Sequence, residues 1–565
     1  MTKEKPPRQV FGRASLPFVL AHGERGRFWR RGEPQVWASA AALAGMLLLA
    51  FTLLAVIVVN GLGVFWPSSV SEITLAGGDT LLGMEIRRET NPDDGQVGIQ
   101  LKTGNRERDP QRQDFRWIRQ DAVVARSDPA DVFVLERLEN GDFFGRFQGV
   151  RGPDLTTTSD RSLQAFSDAL RTIRKKSDHE LAPVARQLFT LSNELQVNRD
   201  RLLRLKYRQS KQGSSKTLDR EQSNLETEER RIKEQSDRLV ERQQRMSAGL
   251  RRNVAVMTDA SGKESLVPLL DVVRCYRPNA MGLGAKCLHY LQKVGELLWD
   301  SPRESNTEGG LFPAIFGTVM LIVVMAAACF PLGVLAGVYL GEYAKDGFLV
   351  RLVRIAVNNL AGIPSIVYGI FGLGFFVYGI GGFLDQWMFP ERAAVGTPTF
   401  GTGGILWASL TLGLLTVPIV IVSTEEALRA IPRATREGSF ALGATKFQTL
   451  VRVLIPLASP GMMTGFILAM ARAAGEVAPL MITGVVKLAP QLPLDGVFPY
   501  FHLERKFMHL GFHIFDVGFQ SPNVEASKPM VFVTTLLLLT IVLAMTSVAI
   551  CLRNRMRSRY HTRTI

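Results

Sequence analysis

The sequence predicts an all-α polytopic membrane protein: a six-span bundle with a large extracytoplasmic insert that contains a coiled-coil-like helical hairpin. Three features predict it. Apolar residues gather in six blocks, basic residues crowd the ends of alternate blocks, and one long polar stretch carries a seven-residue leucine repeat.

Hydrocarbon about 30 Å thick needs roughly 20 apolar residues of helix. Residues 37–59, 311–340, 357–383, 404–423, 462–486 and 530–552 meet that need. The first block is too long for a removable leader and lacks a small-residue cleavage site, so it reads as a retained anchor.

The formal net charge is +15 over 565 residues, and its placement sets the orientation. Segment 1–36 carries Lys3, Lys5, Arg8, Arg13, Arg25, Arg27, Arg30 and Arg31, and the tail 554–565 follows Arg553 with Arg555, Arg557, Arg559 and Arg563. Lys345, Arg351 and Arg354 separate spans two and three, and Arg429, Arg433, Arg436, Lys446 and Arg452 separate spans four and five. Lys and Arg collect in cytoplasmic loops near span ends, so both termini are expected inside. The bases are divided among loops with no zinc spacing or RNA-binding signature, which argues against a nucleic-acid partner and leaves membrane lipid as the surface they meet.

Residues 60–307 are then the external insert. Residues 60–159 mix short alternating runs such as "DVFVLERL" with turn signals such as "ENGD", as a small β-containing domain would. Residues 160–252 are helical in composition. Leu181, Leu188, Leu195 and Leu202 recur every seven residues, as do Leu218, Leu225, Ile232, Leu239 and Met246, with "QSKQGSSK" as the turn between. This predicts an antiparallel hairpin with a thin seam, since Ser236 and Gln243 stand where leucines are wanted. A solvated helix held by charge pairs and a partner-docking surface are the other readings. Residues 253–307 return the chain to the membrane. Cys275 and Cys287 fall there, where a disulfide can persist, and are a candidate bridge. Cys329 and Cys551 lie in spans as packing residues.

No catalytic or metal-binding pattern occurs: phosphate-loop, H-E-x-x-H and G-x-S-x-G motifs are all missing. The chain is expected to be no enzyme and to bind no cofactor or metal itself. A membrane sensor using the external hairpin would need a cytoplasmic output domain, for which the tails are short.

Between spans four and five, in the segment 425–460, lies "EGSFALGATKFQTLVRVLIPLASPG". Glu437 to Leu442 suits a short helix, Gly443 permits a turn, Thr445 can cap a second helix with Lys446, Phe447 and Arg452, and Pro456 is expected to end it. The product is a knob shaped to fit a groove on a soluble partner. Arg433 and Arg436 could face that partner or lipid headgroups.

This stretch resembles the docking pattern of ABC importer permeases, Glu-Ala-Ala, three residues, Gly, nine residues, Ile-x-Leu-Pro. Glu437, Gly443, Val453, Ile455 and Pro456 keep its spacing, with both alanines and both aliphatic positions substituted. "VNNLAGIPSIVYGIFGLGFF", "STEEALRAIPRATREGSFALGATKF", "MARAAGEVAPLMITG" and "GGLFPAIFGT" look like the PstA type of phosphate permease, closely from Gly309 onward. The resemblance implies a core 308–553 in a bacterial inner membrane, which carries inorganic phosphate delivered by an extracytoplasmic binding protein. It also implies a sister permease of PstC type and a dimeric ATPase that uses ATP and Mg. Molybdate or sulfate is the alternative cargo. Where relatives often have an arginine before the Thr-Glu of span four, this chain has Val422, Ser423 and Thr424. Arg472 and Glu476, four residues apart in span five, are the candidate pathway residues: an always-charged fork for the anion, and a carboxylate that neutralises it between cargoes.

Overall fold

The computed structural model describes residues 33–90, 95–106, 114–155, 160–213, 215–496, 498, 500–521 and 524–561. The basic segment before residue 33 and the final arginine, Arg563, lie outside them. The chain divides after Val59 into two units. The described part of the first is a helix, beginning at Glu33, that is apolar on every face, as suits a helix in lipid.

Among the described residues, six helices are long and apolar enough to cross a membrane: Gln35–Gly63, Phe312–Tyr343, Ser365–Met388, Ile405–Arg429, Lys446–Gly475 and Ser527–Ser558. These are spans one to six. Two boundaries correct the sequence reading. Span three starts at Ser365 and not at 357, because Gly362 and Pro364 break the chain and leave Phe348–Leu360 as a separate amphipathic helix. Span five starts at Lys446 and stops at Gly475, not at 486. Pro456 does not end the knob's second helix, because the turn before it, Leu450–Leu454, widens to π-type bonding and removes the demand for its missing N–H.

The fold is not all-α. Among the described residues between spans one and two, ten strands build two antiparallel sheets. Strands β1 (Val70–Leu75), β2 (Thr80–Thr90), β3 (Val97–Lys102), β4 (Phe115–Arg119) and β5 (Val123–Ser127) form the first, in the order β4-β3-β2-β1-β5. Strands β6 (Val132–Arg137) and β7 (Phe143–Arg151) join β8 (Val254–Thr258), β9 (Glu264–Pro268) and β10 (Val272–Tyr276) in the second, in the order β10-β6-β7-β8-β9. Residues 253–307, expected only to lead the chain back, thus supply three strands of the second sheet. "VAVMT", the turn "DASGK" and "ESLVP" were a readable hairpin signal.

Helices α1 (Leu163–Gln212) and α2 (Lys216–Leu250) leave the second sheet between β7 and β8. Strand β6 is buried on both faces. Val132 and Val134 pack with Val70, Leu82 and Met84 of the first sheet, and Phe133 and Leu135 pack with Phe166, Leu170 and Ile173 of α1. Along the helix pair only Leu202 and Ile232 of the two repeats are fully buried, and Asn198 enters the seam to donate to Leu225 O at 3.2 Å. Pairing is antiparallel, as Arg199–Glu229 at 2.9 Å and Gln209–Asp219 at 3.1 Å together show.

Cys275 and Cys287 are not bridged. Cys275 packs on the core of the second sheet, while Cys287 is exposed on α3 (Leu283–Trp299), so the two thiols serve different surfaces. Two short strands, β11 (Pro302–Arg303) and β12 (Glu308–Gly309), lead into span two.

Span four is the centre of the bundle, with Ile405, Ala408, Leu412 and Leu415 buried against spans two, three and five. Glycines allow the approach: a side-chain carbon on Gly413 would overlap Cys329, and one on Gly333 would crowd Val420. The remaining short helices are α4 (Phe348–Leu360), α5 (Pro390–Ala394) between spans three and four, α6 (Arg433–Ala441), α7 (Ala478–Thr483) and α8 (Leu510–Phe515).

Candidate functional site

At one end of the bundle, α6, a turn at Leu442–Ala444 and the start of span five make a knob. Gly443 has φ +81° with open space around it, so the backbone conformation and not crowding requires glycine. Thr445 caps the second helix in both directions: its hydroxyl accepts from Gln448 N at 3.2 Å, and Gln448 Oε1 accepts from Thr445 N at 2.9 Å. Ser439 and Thr449 join the two arms through their hydroxyls at 2.9 Å. Beneath lie Val338, Leu428, Ile431, Leu450 and Leu454. Facing outward, Leu442 is 90% exposed, Phe447 67% and Phe440 47%. Three such residues on a turn of this size form an apolar surface without an internal partner.

Arg436 faces inward, which removes it from the residues offered to lipid or a partner. Its guanidinium donates to Ile431 O and Leu428 O, both at 2.7 Å, and to Glu342 Oε1 at 2.6 Å. One side chain thereby ties α6 to the ends of spans two and four. A second network lies beside it: Glu425 accepts from Arg354 at 3.0 Å and from Arg429 at 2.5 Å, and Arg354 also donates to Leu340 O at 3.1 Å. These pairs link the knob to the ends of spans two and four, and Arg354 joins α4 to the same end. Sequence reasoning missed Glu342, Arg354 and Glu425. Only Glu425 with Arg429 at i+4 left a local trace.

Of the expected docking residues, Glu437 is exposed on α6 and Gly443 makes the turn. Val453, Ile455 and Pro456 lie partly buried in the continuous helix of span five. They belong to the stem of the knob.

Arg472 and Glu476 are brought together, though not on one helix face. Span five ends at Gly475, and Glu476 continues in extended backbone with φ −80° and ψ 134°. Its carboxylate stands 3.9 Å from Arg472 Nε, at the outer limit of an ion pair. Register gives the depth. A side-chain carbon on Gly461 would strike Ala427 and one on Gly465 would strike Ser423, so spans four and five run antiparallel and Arg472 is level with Thr416, near the middle of Ile405–Arg429. The break at Gly475–Val477 therefore falls at mid-bundle. Non-helical backbone is tolerated at that depth only where protein buries it or where it lines a polar path. Tyr368 lies within electrostatic reach of Arg472 and donates to Leu360 O at 2.6 Å.

Ser423 and Thr424 offer no replacement for an arginine. Ser423 donates to Val420 O at 3.1 Å and packs on Gly465, and Thr424 is fully buried against Gly337.

Residues 331–558 match the family described as binding-protein-dependent transport system inner membrane component. The probable ABC transporter permease protein YqgI of Bacillus subtilis (strain 168) is 31% identical over 225 residues, which cover 39% of this chain and 70% of that protein. The chain belongs to the ABC transporter permeases of the binding-protein-dependent type. This permease is also 37% identical over 174 residues to the phosphate transport system permease protein PstA of Mycobacterium leprae (strain TN), covering 31% of this chain and 51% of the relative. It spans about half the length of that protein, and 62% of the probable ABC transporter permease protein YqgH of Bacillus subtilis (strain 168). Among solved structures, the inward facing MetNI methionine ABC transporter aligns over 44% of this chain and 94% of its own, at 21% identity and a TM-score of 0.31. Family membership makes the chain a multi-pass membrane component of a transporter and not an enzyme.

Proposed function

We propose that this permease is the PstA-type subunit of an inorganic phosphate importer. It would form the pathway with a sister permease of PstC type, receive phosphate from an extracytoplasmic binding protein, and be driven by a dimeric cytoplasmic ATPase using ATP and Mg. The observation that carries the reading is Arg472, a loosely paired guanidinium at a helix break in mid-bundle. A permanent charge there costs roughly 2.5–3.5 kcal/mol by insertion scales, so it persists for a purpose. Its planar fork matches two oxygens of an oxyanion. Glu476, at 3.9 Å, is near enough to neutralise it between cargoes and far enough to be displaced. The names of relatives as phosphate transport system permease proteins favour phosphate over another oxyanion as the cargo.

Orientation follows from charge. Arg553 donates to Thr464 at 3.4 Å, which brings the end of span six beside the knob half of span five, and Arg354 meets Glu425 at the same end. Basic residues from three segments thus share one face, which the positive-inside rule assigns to the cytoplasm of a bacterial inner membrane. The insert is then extracytoplasmic. The knob is the ATPase-docking element, with Leu442, Phe447 and Phe440 as its contact surface.

The test is uptake of labelled phosphate, sulfate and molybdate in cells lacking this chain, complemented by the wild type or by Arg472→Gln. Only the wild type should restore phosphate uptake, while the variant still co-purifies with its ATPase. Restoration of sulfate or molybdate uptake in place of phosphate would move the reading to another oxyanion, and normal phosphate uptake by Arg472→Gln would remove Arg472 from the pathway.

A further inference from the structure

The insert's helical hairpin reaches the bundle. Asp200 pairs with Arg392 at 2.5 Å and Arg204 pairs with Glu391 at 3.1 Å, which fastens α1 to α5. Arg392 is held from behind by Thr399 Oγ1 at 2.8 Å, and Glu391 is only 7% exposed, so the attachment is built into the fold. Just before α5, span three ends in Trp387, 74% exposed, and Met388. An exposed tryptophan at the end of an apolar span marks the level of lipid headgroups. The hairpin is therefore anchored at the membrane surface, and α1 continues eight residues past Arg204 to Gln212, about 12 Å at 1.5 Å per residue.

Charge is distributed unevenly along this arm. Arg199 is committed to Glu229 and Lys206 to Glu226. Arg201 beside the anchor, and Arg208, Lys211, Lys216 and Arg220 beyond it, are exposed and pair with no carboxylate among the described residues. Lys211 rests over the Tyr207 ring at 5.0 Å. Of the nearby acids, Asp200 is held by Arg392, Asp219 accepts from Gln209 at 3.1 Å, and Glu221 is exposed. Five cations thus gather on an arm whose anchor stands at headgroup level, and a charge acts on an anionic surface over about one Debye length, roughly 8–10 Å at ordinary salt.

We propose that the end of the hairpin is a binding surface for anionic phospholipid headgroups of the leaflet on the insert side. The lipids hold the arm down beside the outer end of span three, and the two ion pairs to α5 fix its register. Which leaflet this is rests on the orientation proposed above. The contact itself does not, and its test makes no use of transport.

The experiment places the full chain in nanodiscs of phosphatidylcholine alone or with phosphatidylglycerol. A fluorophore on Ser215→Cys, in a background of Cys287→Ser and Cys551→Ser, reports quenching by headgroup-spin-labelled lipid. Quenching should be several-fold stronger with phosphatidylglycerol and should fall as salt rises. It should also fall to the phosphatidylcholine level when the five cations become glutamine, each being worth about fivefold at an anionic surface. Asp200→Ala with Arg204→Ala should loosen the arm without abolishing the lipid dependence. Equal quenching in both lipids, or quenching unaffected by neutralising the cations, would overturn the proposal. So would displacement of the arm by inorganic phosphate at constant ionic strength, or approach to the membrane only when a protein partner is added.

Discussion

Glu308, four residues before span two, is partly buried among Lys102 of β3, Glu136 of β6, Asp142 before β7 and Lys293 of α3. Burial and the Asp142 charge push its carboxyl from 4.5 up to about 7. A raised carboxyl means that the folded chain holds a proton which the unfolded chain has released, so stability falls as pH rises from about 4.5 to about 7 and is flat above. Burial drives Glu136 in the same direction, while lysine and arginine neighbours depress Asp142 and Glu296, whose effects fall below this window. His289 of α3, which burial holds down at about 4, works in the opposite direction between about 4 and 6.5, so the Glu308 effect is read against a variant: the protease resistance of Glu308→Gln relative to the wild-type insert should rise from pH 5 to pH 8. An unchanged profile in the variant would mean that another group carries it. Arg472 yields a second expectation. Arg472→Lys keeps the charge and loses the fork, so phosphate uptake should drop roughly tenfold or more, the equivalent of one charged hydrogen bond of about 1.5–3 kcal/mol. Arg472 was legible in the sequence because a charge stands out in an apolar run. The Arg436–Glu342 pair was not, since 94 residues separate its members and each sits in an ordinary basic or acidic context.

The knob owes its turn to one backbone angle. A Cβ at Gly443 meets no neighbouring atom within 4 Å, so the cost assigned to Gly443→Val is conformational, about 1–2 kcal/mol for a side chain forced into the left-handed region. That is too little to unfold the bundle and enough to redirect the 90% exposed Leu442. The variant should reach the membrane normally, hold the ATPase poorly, and hydrolyse ATP with little phosphate moved. Normal co-purification and uptake would assign docking to another surface. The turn and its cap were readable in the sequence because Gly443 and Thr445 act locally. The end of the second helix was not, because a widened turn upstream made Pro456 harmless and let the knob's stem become span five. Hydropathy likewise merged α4 with span three, since the apolar face of α4 blurs into the span and only Gly362 and Pro364 separate them.

At the scale of the molecule, the membrane half was legible and the insert was only half so. Each span announces itself by its own length and hydropathy, whereas a sheet must find partners, and Val272 of β10 pairs with Arg137 of β6 across the whole hairpin. The same topology makes the hairpin removable. Strands β7 and β8 are direct neighbours, with Phe147 opposite Met257 and Val150 opposite Ala255, so the sheet closes without the two helices between them. The root of α1 must stay, because Phe166, Leu170 and Ile173 complete the core under β6. Removing 186–245 and rejoining the ends with a short glycine linker cuts above that root. Next to the cut, Arg186 and Leu191 of one helix face Gln235 and Leu239 of the other across a shared groove, so the two arms run side by side there. The shortened chain should insert, keep both sheets, and lose only the ties of Asp200 and Arg204 to α5. Phosphate uptake should fall in part and not vanish, because neither the knob nor Arg472 touches the hairpin. Measured by protease protection of the sheets and by uptake, failure to insert would make the hairpin part of the core assembly, and complete loss of uptake with an intact fold would make its hold on α5 a requirement of transport.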